Sequence, residues 1–286
     1  MQAWRPTPTA KPTIGSPPID KETLLLPCGK CQGCRSSKAR EWAFRCYLEA
    51  MQHKEMCWST LTYAPKYLPP TLVKAHIQKF KRRLRKLTKK LYPNRDVRTF
   101  ECGEYGEKFG RPHYHIILFG LSTLDKDLIE KAWRSRNRKT KKYESIGNVQ
   151  TYDLGPAAIA YVAGYTQKKL TDTLHQRHER VDPDTGEAYY WQPPFINMSR
   201  RPGIGGKARK YENSWKEYAV YNGTKIPVPR FLHEAWKKSA TEEQIQTLAE
   251  TKKEKAQLQA LTLDMLYNRE LNALTKKANT ASTREL

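Results

Sequence analysis

Arg111-Pro112-His113-Tyr114-His115-Ile116-Ile117-Leu118-Phe119-Gly120 is the segment from which the fold can be read. Its second half is a run of β-branched and large apolar residues closed by a glycine, which predicts a buried strand. Side chains alternate across a strand, so His113 and His115 share one face and Ile117 and Phe119 continue it. Two imidazoles on one rigid face can hold a divalent metal from a fixed direction. The ordinary alternative is a pair of hydrogen-bonded sheet histidines.

A metal needs more than two neutral ligands. Upstream lies a second strand-like segment, Val97-Arg98-Thr99-Phe100-Glu101-Cys102-Gly103-Glu104-Tyr105-Gly106. The turn formers of Glu107-Lys108-Phe109-Gly110-Arg111-Pro112 join the two as an antiparallel hairpin. That hairpin returns an acid toward the histidines. Glu101, Glu104 and Glu107 are candidates, and Glu104, nearest the turn, is preferred. Two histidines and one carboxylate leave coordination positions open, which suits activating a substrate oxygen rather than stapling a fold.

The chain has 286 residues, with 52 Lys+Arg against 29 Asp+Glu, a formal charge of +23. That excess points to an anionic partner, nucleic acid above all. No stretch approaches transmembrane length and no signal peptide is evident, so no membrane role is expected. Of six cysteines, Cys28, Cys31 and Cys34 form a C-x-x-C-x-x-C cluster, unlike a secreted disulfide framework. A reducing cytoplasm is expected. The cluster can wrap a structural zinc ion, with Cys46, His53 and Cys57 as candidates for a fourth ligand.

Residues 1–24 are aperiodic and rich in Pro and Thr, and read as a flexible arm. Residues 25–56 hold the cysteine cluster and a helix with Trp42, Cys46 and Ala50 on one side and Arg40, Arg45 and Glu49 on the other. Cys57 to Tyr63 predicts a strand. Val73, Ile77, Phe80, Leu84, Leu87 and Leu91 then mark an amphipathic helix. Its other faces carry Lys79, Lys81, Arg82, Arg83, Arg85, Lys86, Lys89 and Lys90 without an acid, a surface suited to DNA phosphates. After the hairpin, Ser122 to Asp125 forms a capping-box start, Leu124, Leu128, Ile129 and Trp133 mark a helix, and Ile146 to Tyr152 a further strand. Gly155-Pro156 opens another helix. This order predicts an α+β fold: an antiparallel sheet with helices packed on one side, a ferredoxin-like domain over residues 57–175. Residues 176–238 read as a basic accessory region. In it, Arg200, Arg201 and Lys207 flank a glycine-rich, flexible loop able to approach phosphates. Residues 239–286 read as a charged helical tail.

On the helix after Gly155-Pro156, Tyr161, Tyr165 and Lys168 fall on one stripe, while Ile159, Val162, Ala163 and Thr166 form the packing side. A phenol with a free pKa of roughly 10 is a poor nucleophile unless a cation stabilises its anion. A metal on the histidines can polarise a phosphodiester, and Lys168 can offset charge.

Trp58-Ser59-Thr60-Leu61-Thr62-Tyr63, Pro112-His113-Tyr114-His115 and Tyr161-Val162-Ala163-Gly164-Tyr165-Thr166-Gln167-Lys168 in this order resemble the HUH endonucleases, specifically the rolling-circle replication initiators of gokushovirus-type microviruses. The Cys28–Cys34 cluster and Ser199-Arg200-Arg201-Pro202-Gly203-Ile204-Gly205 are similar to that subgroup too. The resemblance implies that His113, His115 and Glu104 hold Mg2+ or Mn2+, that Tyr161 and Tyr165 are nucleophiles, and that Lys168 assists them. It implies a metal-dependent nickase and strand-joining enzyme that acts on origin DNA through a 5′-phosphotyrosine intermediate. The family often carries a lysine before the second tyrosine; Gly164 stands there in this chain. No Walker A sequence is present, so a host helicase and polymerase are expected partners, in the bacterial cytoplasm. The alternatives are another HUH nickase (a relaxase or transposase), a non-enzymatic nucleic-acid-binding module, and a facial-triad iron oxygenase, which gives the tyrosines and the charge no role.

Overall fold

In this computed structural model, residues 2–4, 13–15, 24–25, 27–29, 31–137, 139–165, 179–181, 186–221, 223–258 and 263–282 are described. The chain divides into two units, residues 39–260 and residues 1–38 with 261–286. In the smaller unit, β1 (Gln2–Trp4) pairs antiparallel with β2 (Thr13–Ile14) and β3 (Leu24–Leu25), where sequence alone predicted an unstructured arm. The rest of that arm lies outside the described residues.

Helix α1 (Gln32–Ala50) leads into β4 (Met56–Leu61), α2 (Lys74–Leu91), β5 (Arg98–Tyr105), β6 (Pro112–Phe119) and α3 (Lys126–Ala132). A small hairpin of β7 (Arg134–Arg136) and β8 (Tyr143–Ser145) precedes β9 (Val149–Asp153) and α4 (Pro156–Gly164). Beyond them, β10 (Glu179–Val181) pairs with β11 (Ala188–Tyr190), and β12 (Phe195–Met198) returns to the main sheet. That sheet is five-stranded and antiparallel, in the order β12-β5-β6-β4-β9. Its edge strand β12 comes from beyond the 57–175 stretch that sequence alone delimits. Four residues after Pro193-Pro194 are too few to show a period.

Helices cover both faces of the sheet, not the single face that the element order predicts. On one side Ile77, Phe80 and Leu84 of α2 and Leu128, Ile129 and Ala132 of α3 pack on Tyr114, Ile116 and Leu118. On the other, Trp42, Phe44 and Cys46 of α1 and Ile159, Val162 and Ala163 of α4 pack on Phe100, Ile117 and Phe119. The alternation of β6 therefore feeds two cores. Asp125 caps α3's approach with both halves of the Ser122 capping box present, while Leu124 is 93% exposed and packs on nothing.

The loop around residues 200–207 is a docked wedge rather than a flexible one. Glu49, fully buried on α1, accepts hydrogen bonds from Arg98 Nε and from Gly205 N (2.7 Å). Arg45 Nε donates to Ile204 O at 3.0 Å, and Arg98 Nη2 to Pro202 O at 2.6 Å. Gly205 has φ +70°, and a Cβ there would meet Arg45 O at 2.9 Å. Its glycine serves this close approach to α1, not an approach to phosphate.

Candidate active site

The hairpin of β5 and β6 pairs Glu104 with His113 and Cys102 with His115. Because side chains alternate, Glu104 stands on the histidine face and Glu101 on the opposite one. Glu101 is instead buried under α2, where Lys81 Nζ donates to its Oε1. Glu104 Oε1 lies 3.0 Å from His113 Nε2 and 3.1 Å from His115 Nε2. One ligand atom from each of the three residues falls within 4.8 Å of the others.

Both imidazole rings are fixed from behind. His113 Nδ1 donates to Arg111 O at 3.1 Å, and His115 Nδ1 bonds Thr60 Oγ1 at 3.0 Å. A carbonyl oxygen can only accept, so a neutral His113 has spent its one N–H on Arg111. Its Nε2 then offers a lone pair to a carboxylate oxygen 3.0 Å away. Two acceptors at that distance require a positive charge between or beside them, either a second proton or a bound cation. Two imidazole nitrogens and a carboxylate oxygen suit a divalent ion, and the partners on Nδ1 are the kind that orient metal-binding histidines. Thr60 sits opposite His115 on β4, inside the Trp58–Tyr63 motif; the motif was visible in the sequence, but the partner of this hydroxyl was not.

Helix α4 lays its tyrosines over this face. Ile159, Val162 and Ala163 are buried, as its apolar stripe predicts, while Tyr161 is 37% exposed. The Tyr165 ring stacks on His115, with centroids 4.5 Å apart and planes within 5°. The Tyr161 ring lies 6.1 Å from His115 and 5.8 Å from Trp58, which itself stacks on Tyr152 at 4.8 Å. Tyr165 OH donates a short hydrogen bond to the Tyr161 oxygen. Burial pushes the Tyr165 phenol well above its ordinary pKa, and the Glu104 carboxylate and Tyr161 hydroxyl push the same way. Lys168 lies outside the described residues.

Residues 56–170 match the family model of the replication-associated protein ORF2. This stretch is a replication-associated ORF2-type domain. It contains β4 through α4, and so Thr60, Glu104, both histidines and both tyrosines. The chain is 29% identical over 266 residues to replication-associated protein VP4 of Bdellovibrio phage phiMH2K, covering 85% of this chain and 78% of that protein. It is 33% identical over 161 residues to replication-associated protein ORF4 of Chlamydia phage 1, covering 53% of this chain and 40% of that protein. It is 30% identical over 222 residues to replication-associated protein ORF2 of Spiroplasma virus 4, covering 72% of this chain and 64% of that protein. No solved structure matches the chain.

The other predicted residues distribute unevenly around the ORF2-type domain. Arg82, Arg85 and Lys86 are exposed on α2 and Arg83 is half-buried. Lys81 is a correction: it is 9% exposed and bound to Glu101, so it neutralises a buried carboxylate instead of facing a phosphate. Arg200, Arg201 and Lys207 are exposed at the margins of the docked loop. In the smaller unit, Cys28, Cys31 and Cys34 gather with their sulfurs within 4.8 Å, and Cys28 Sγ and Cys34 Sγ lie 3.8 Å apart. None of the candidate fourth ligands is suited to zinc: Cys46 and Cys57 are fully buried, which pushes both thiols up, Cys57 to about 12. His53 is engaged with Glu49 at 3.3 Å. No helix among the described residues is long and apolar enough to cross a membrane.

Proposed function

We propose that the chain is a replication initiator that nicks origin DNA at a specific site, becomes joined to it, and later reseals the strands in rolling-circle replication of a single-stranded DNA phage genome. The observation that carries this reading is the pair of hydrogen-bonded tyrosines stacked over the Glu104, His113 and His115 cluster. The replication-associated names of the relatives support the same role. The oxygenase alternative leaves those tyrosines without a task.

Glu104 Oε1 and the two Nε2 atoms would hold Mg2+ or Mn2+, which when bound would draw charge from a scissile phosphate. Tyr161 is the first nucleophile. It is the more exposed of the two, and it accepts the Tyr165 hydrogen bond that a developing phenolate needs. Its oxygen gives up a proton and bonds to phosphorus. The bond from phosphorus to the 3′ oxygen breaks, and that oxygen takes a proton to leave as a 3′-hydroxyl. The 5′ phosphate stays on the tyrosine, so a 3′-hydroxyl can later reverse the step without ATP. Tyr165, one turn away, makes the second cut when the origin is regenerated. Lys168 would offset phosphate charge from the continuation of the stripe. Trp58 and Tyr152 offer aromatic faces to unstacked bases beside the tyrosines. Unwinding and synthesis fall to a host helicase and polymerase in the bacterial cytoplasm, and Cys28, Cys31 and Cys34 would hold a structural zinc.

The test is a single-stranded oligonucleotide carrying the origin, incubated with and without Mg2+ or Mn2+ and resolved on a denaturing gel. Cleavage should require the metal and disappear in His113→Ala, His115→Ala and Glu104→Ala. Metal-independent cleavage, or wild-type rates in the double histidine variant, refutes the assignment.

A further inference from the structure

The hairpin of β7 and β8 is a basic projection of the ORF2-type domain that the nicking reading leaves without a task. Arg136, Lys139, Lys141 and Lys142 are all exposed on it. Its one acid, Glu144, is turned inward and used as an anchor. Glu144 accepts from Tyr67 OH on the domain body and from Asn137 Nδ2 at 2.7 Å. Those hydrogen bonds hold the carboxyl below its ordinary range. Asn137 in turn caps the tip through Lys139 N (2.9 Å) and Thr140 N (3.3 Å). Asn137 N bonds Lys142 O at 2.8 Å, and Arg136 Nε bonds Lys141 O at 3.1 Å. Lys141 adopts φ 57°, a conformation a lysine holds only when its surroundings fix it. The result is a tied ribbon that presents cations outward and keeps its carboxylate out of their way.

The register pairs Arg136 with Tyr143 and Arg134 with Ser145, so these four share one ribbon face. Tyr143 is 55% exposed. This face continues onto α2. Burial lowers the Arg83 guanidinium, the Arg134 and Arg82 charges add to that, and the Tyr143 phenol opposes it. Arg83 Nε donates to Ala132 O at 2.9 Å, where α3 enters the ribbon. Beyond Arg83, the exposed side of α2 carries Lys79, Arg82, Arg85, Lys86, Lys89 and Lys90. The phenyl ring of α2, Phe80, is fully buried.

The two faces of the sheet thus differ in kind. The tyrosine face offers the aromatic rings of Trp58, Tyr152 and Tyr161, the chemistry that receives unstacked bases. Helix α2 offers cations in a regular row with its phenyl ring turned away, the chemistry that follows a duplex backbone. A two-stranded ribbon also fits the major groove of B-form DNA, where arginine can read guanine. Both features meet at one end of the sheet. Arg111, two residues before His113, donates to Tyr63 O at 3.1 Å, and Ala64 N donates to Ile146 O at 2.9 Å, one residue past the ribbon.

We propose that the β7–β8 ribbon and the basic side of α2 form a duplex-DNA-binding surface, with the ribbon in the major groove, on the opposite face of the sheet from the tyrosines. It rests on the nicking reading for its biological purpose, which is to hold the paired part of an origin while the unpaired strand crosses to Tyr161. Its physical claim stands apart from that reading.

The test is fluorescence anisotropy of the full chain with a labelled duplex of about two helical turns and with a single strand of the same length. The variant Arg136→Ser, Lys139→Ser, Lys141→Asn, Lys142→Ser should weaken duplex binding at least ~10-fold and lower the salt slope by about 3, since each phosphate contact contributes about 0.9. Its single-strand affinity and its yield of covalent adduct with a single-stranded oligonucleotide should match the wild type, which also shows that it is folded. A second variant, Arg82→Ser, Arg85→Ser, Lys86→Ser, should weaken duplex binding in the same direction. Duplex affinity within twofold of wild type in the ribbon variant overturns the proposal, as does an equal loss for duplex and single strand. If the wild type forms no adduct at all, the nicking reading fails, while the duplex comparison still decides this one.

Discussion

Replacing Thr60 with valine removes one oxygen and keeps the β-branched shape that its strand position favours. The hydroxyl bonds His115 Nδ1 at 3.0 Å and is what holds Nε2 of that ring toward Glu104. Without it the ring is free to exchange tautomers and to rotate, so the lone pair needed at Nε2 is present for only part of the time. Loss of such an orienting partner costs about 10- to 100-fold in metal affinity, or about 1.4 to 2.7 kcal/mol. Titration calorimetry with Mn2+ should therefore show a weaker site in Thr60→Val. Nicking should fall at low metal and recover when metal is raised. Mn2+ affinity within twofold of wild type would refute the orienting role. A nicking defect that saturating metal does not rescue would show instead that Thr60 acts through the fold.

Three further outcomes follow from the geometry. Lys81 and Glu101 form a buried pair with side chains 10% and 0% exposed, and removing one partner leaves an uncompensated charge; Lys81→Met should cost about 3–5 kcal/mol in urea unfolding, and a loss below about 1 kcal/mol contradicts that reading. Burial, with Lys79 and Arg83 nearby, lowers the His76 pKa, while its Nδ1 bonds Tyr63 OH at 2.8 Å. The unfolded chain therefore binds that proton more readily, so this contribution is full above about pH 6.5 and is lost as pH falls through the lower folded pKa; His76→Asn should flatten the acid limb of the stability profile, and an unchanged limb removes His76 as its cause. Freshly isolated, reduced protein should carry about one zinc per chain, lost on Cys31→Ser, and metal analysis that finds none leaves Cys28, Cys31 and Cys34 as free thiols.

What was legible in the sequence is what depends on local periodicity. Strand parity puts His113 and His115 on one face, and the same parity applied to β5 separates Glu104 from Glu101, although the pairing register itself had to be seen. The spacing of α4 gave both its packing side and its tyrosine side. Residues whose meaning lies in distant partners were not legible. Arg45 and Glu49 occupy the polar side of α1, yet they are 7% and 0% exposed because a loop more than a hundred residues later docks on them. Lys81 looks like its basic neighbours, and only the fold reveals Glu101 behind it. Nor can element order say which face of a sheet each helix covers, and it is that division which separates an aromatic face from a basic one.

The central claim is that Tyr161 becomes covalently joined to DNA. The most direct measurement is mass spectrometry of the protein after incubation with Mn2+ and a single-stranded origin oligonucleotide, with proteolysis to isolate the α4 peptide. The account predicts a 5′-phosphonucleotide on Tyr161 in the wild type, a greatly reduced yield of the first cut in Tyr161→Phe, and continued adduct formation without release of unit-length circles in Tyr165→Phe. DNA attached to a residue other than these two tyrosines, or adduct formed by the double Phe variant, would contradict it.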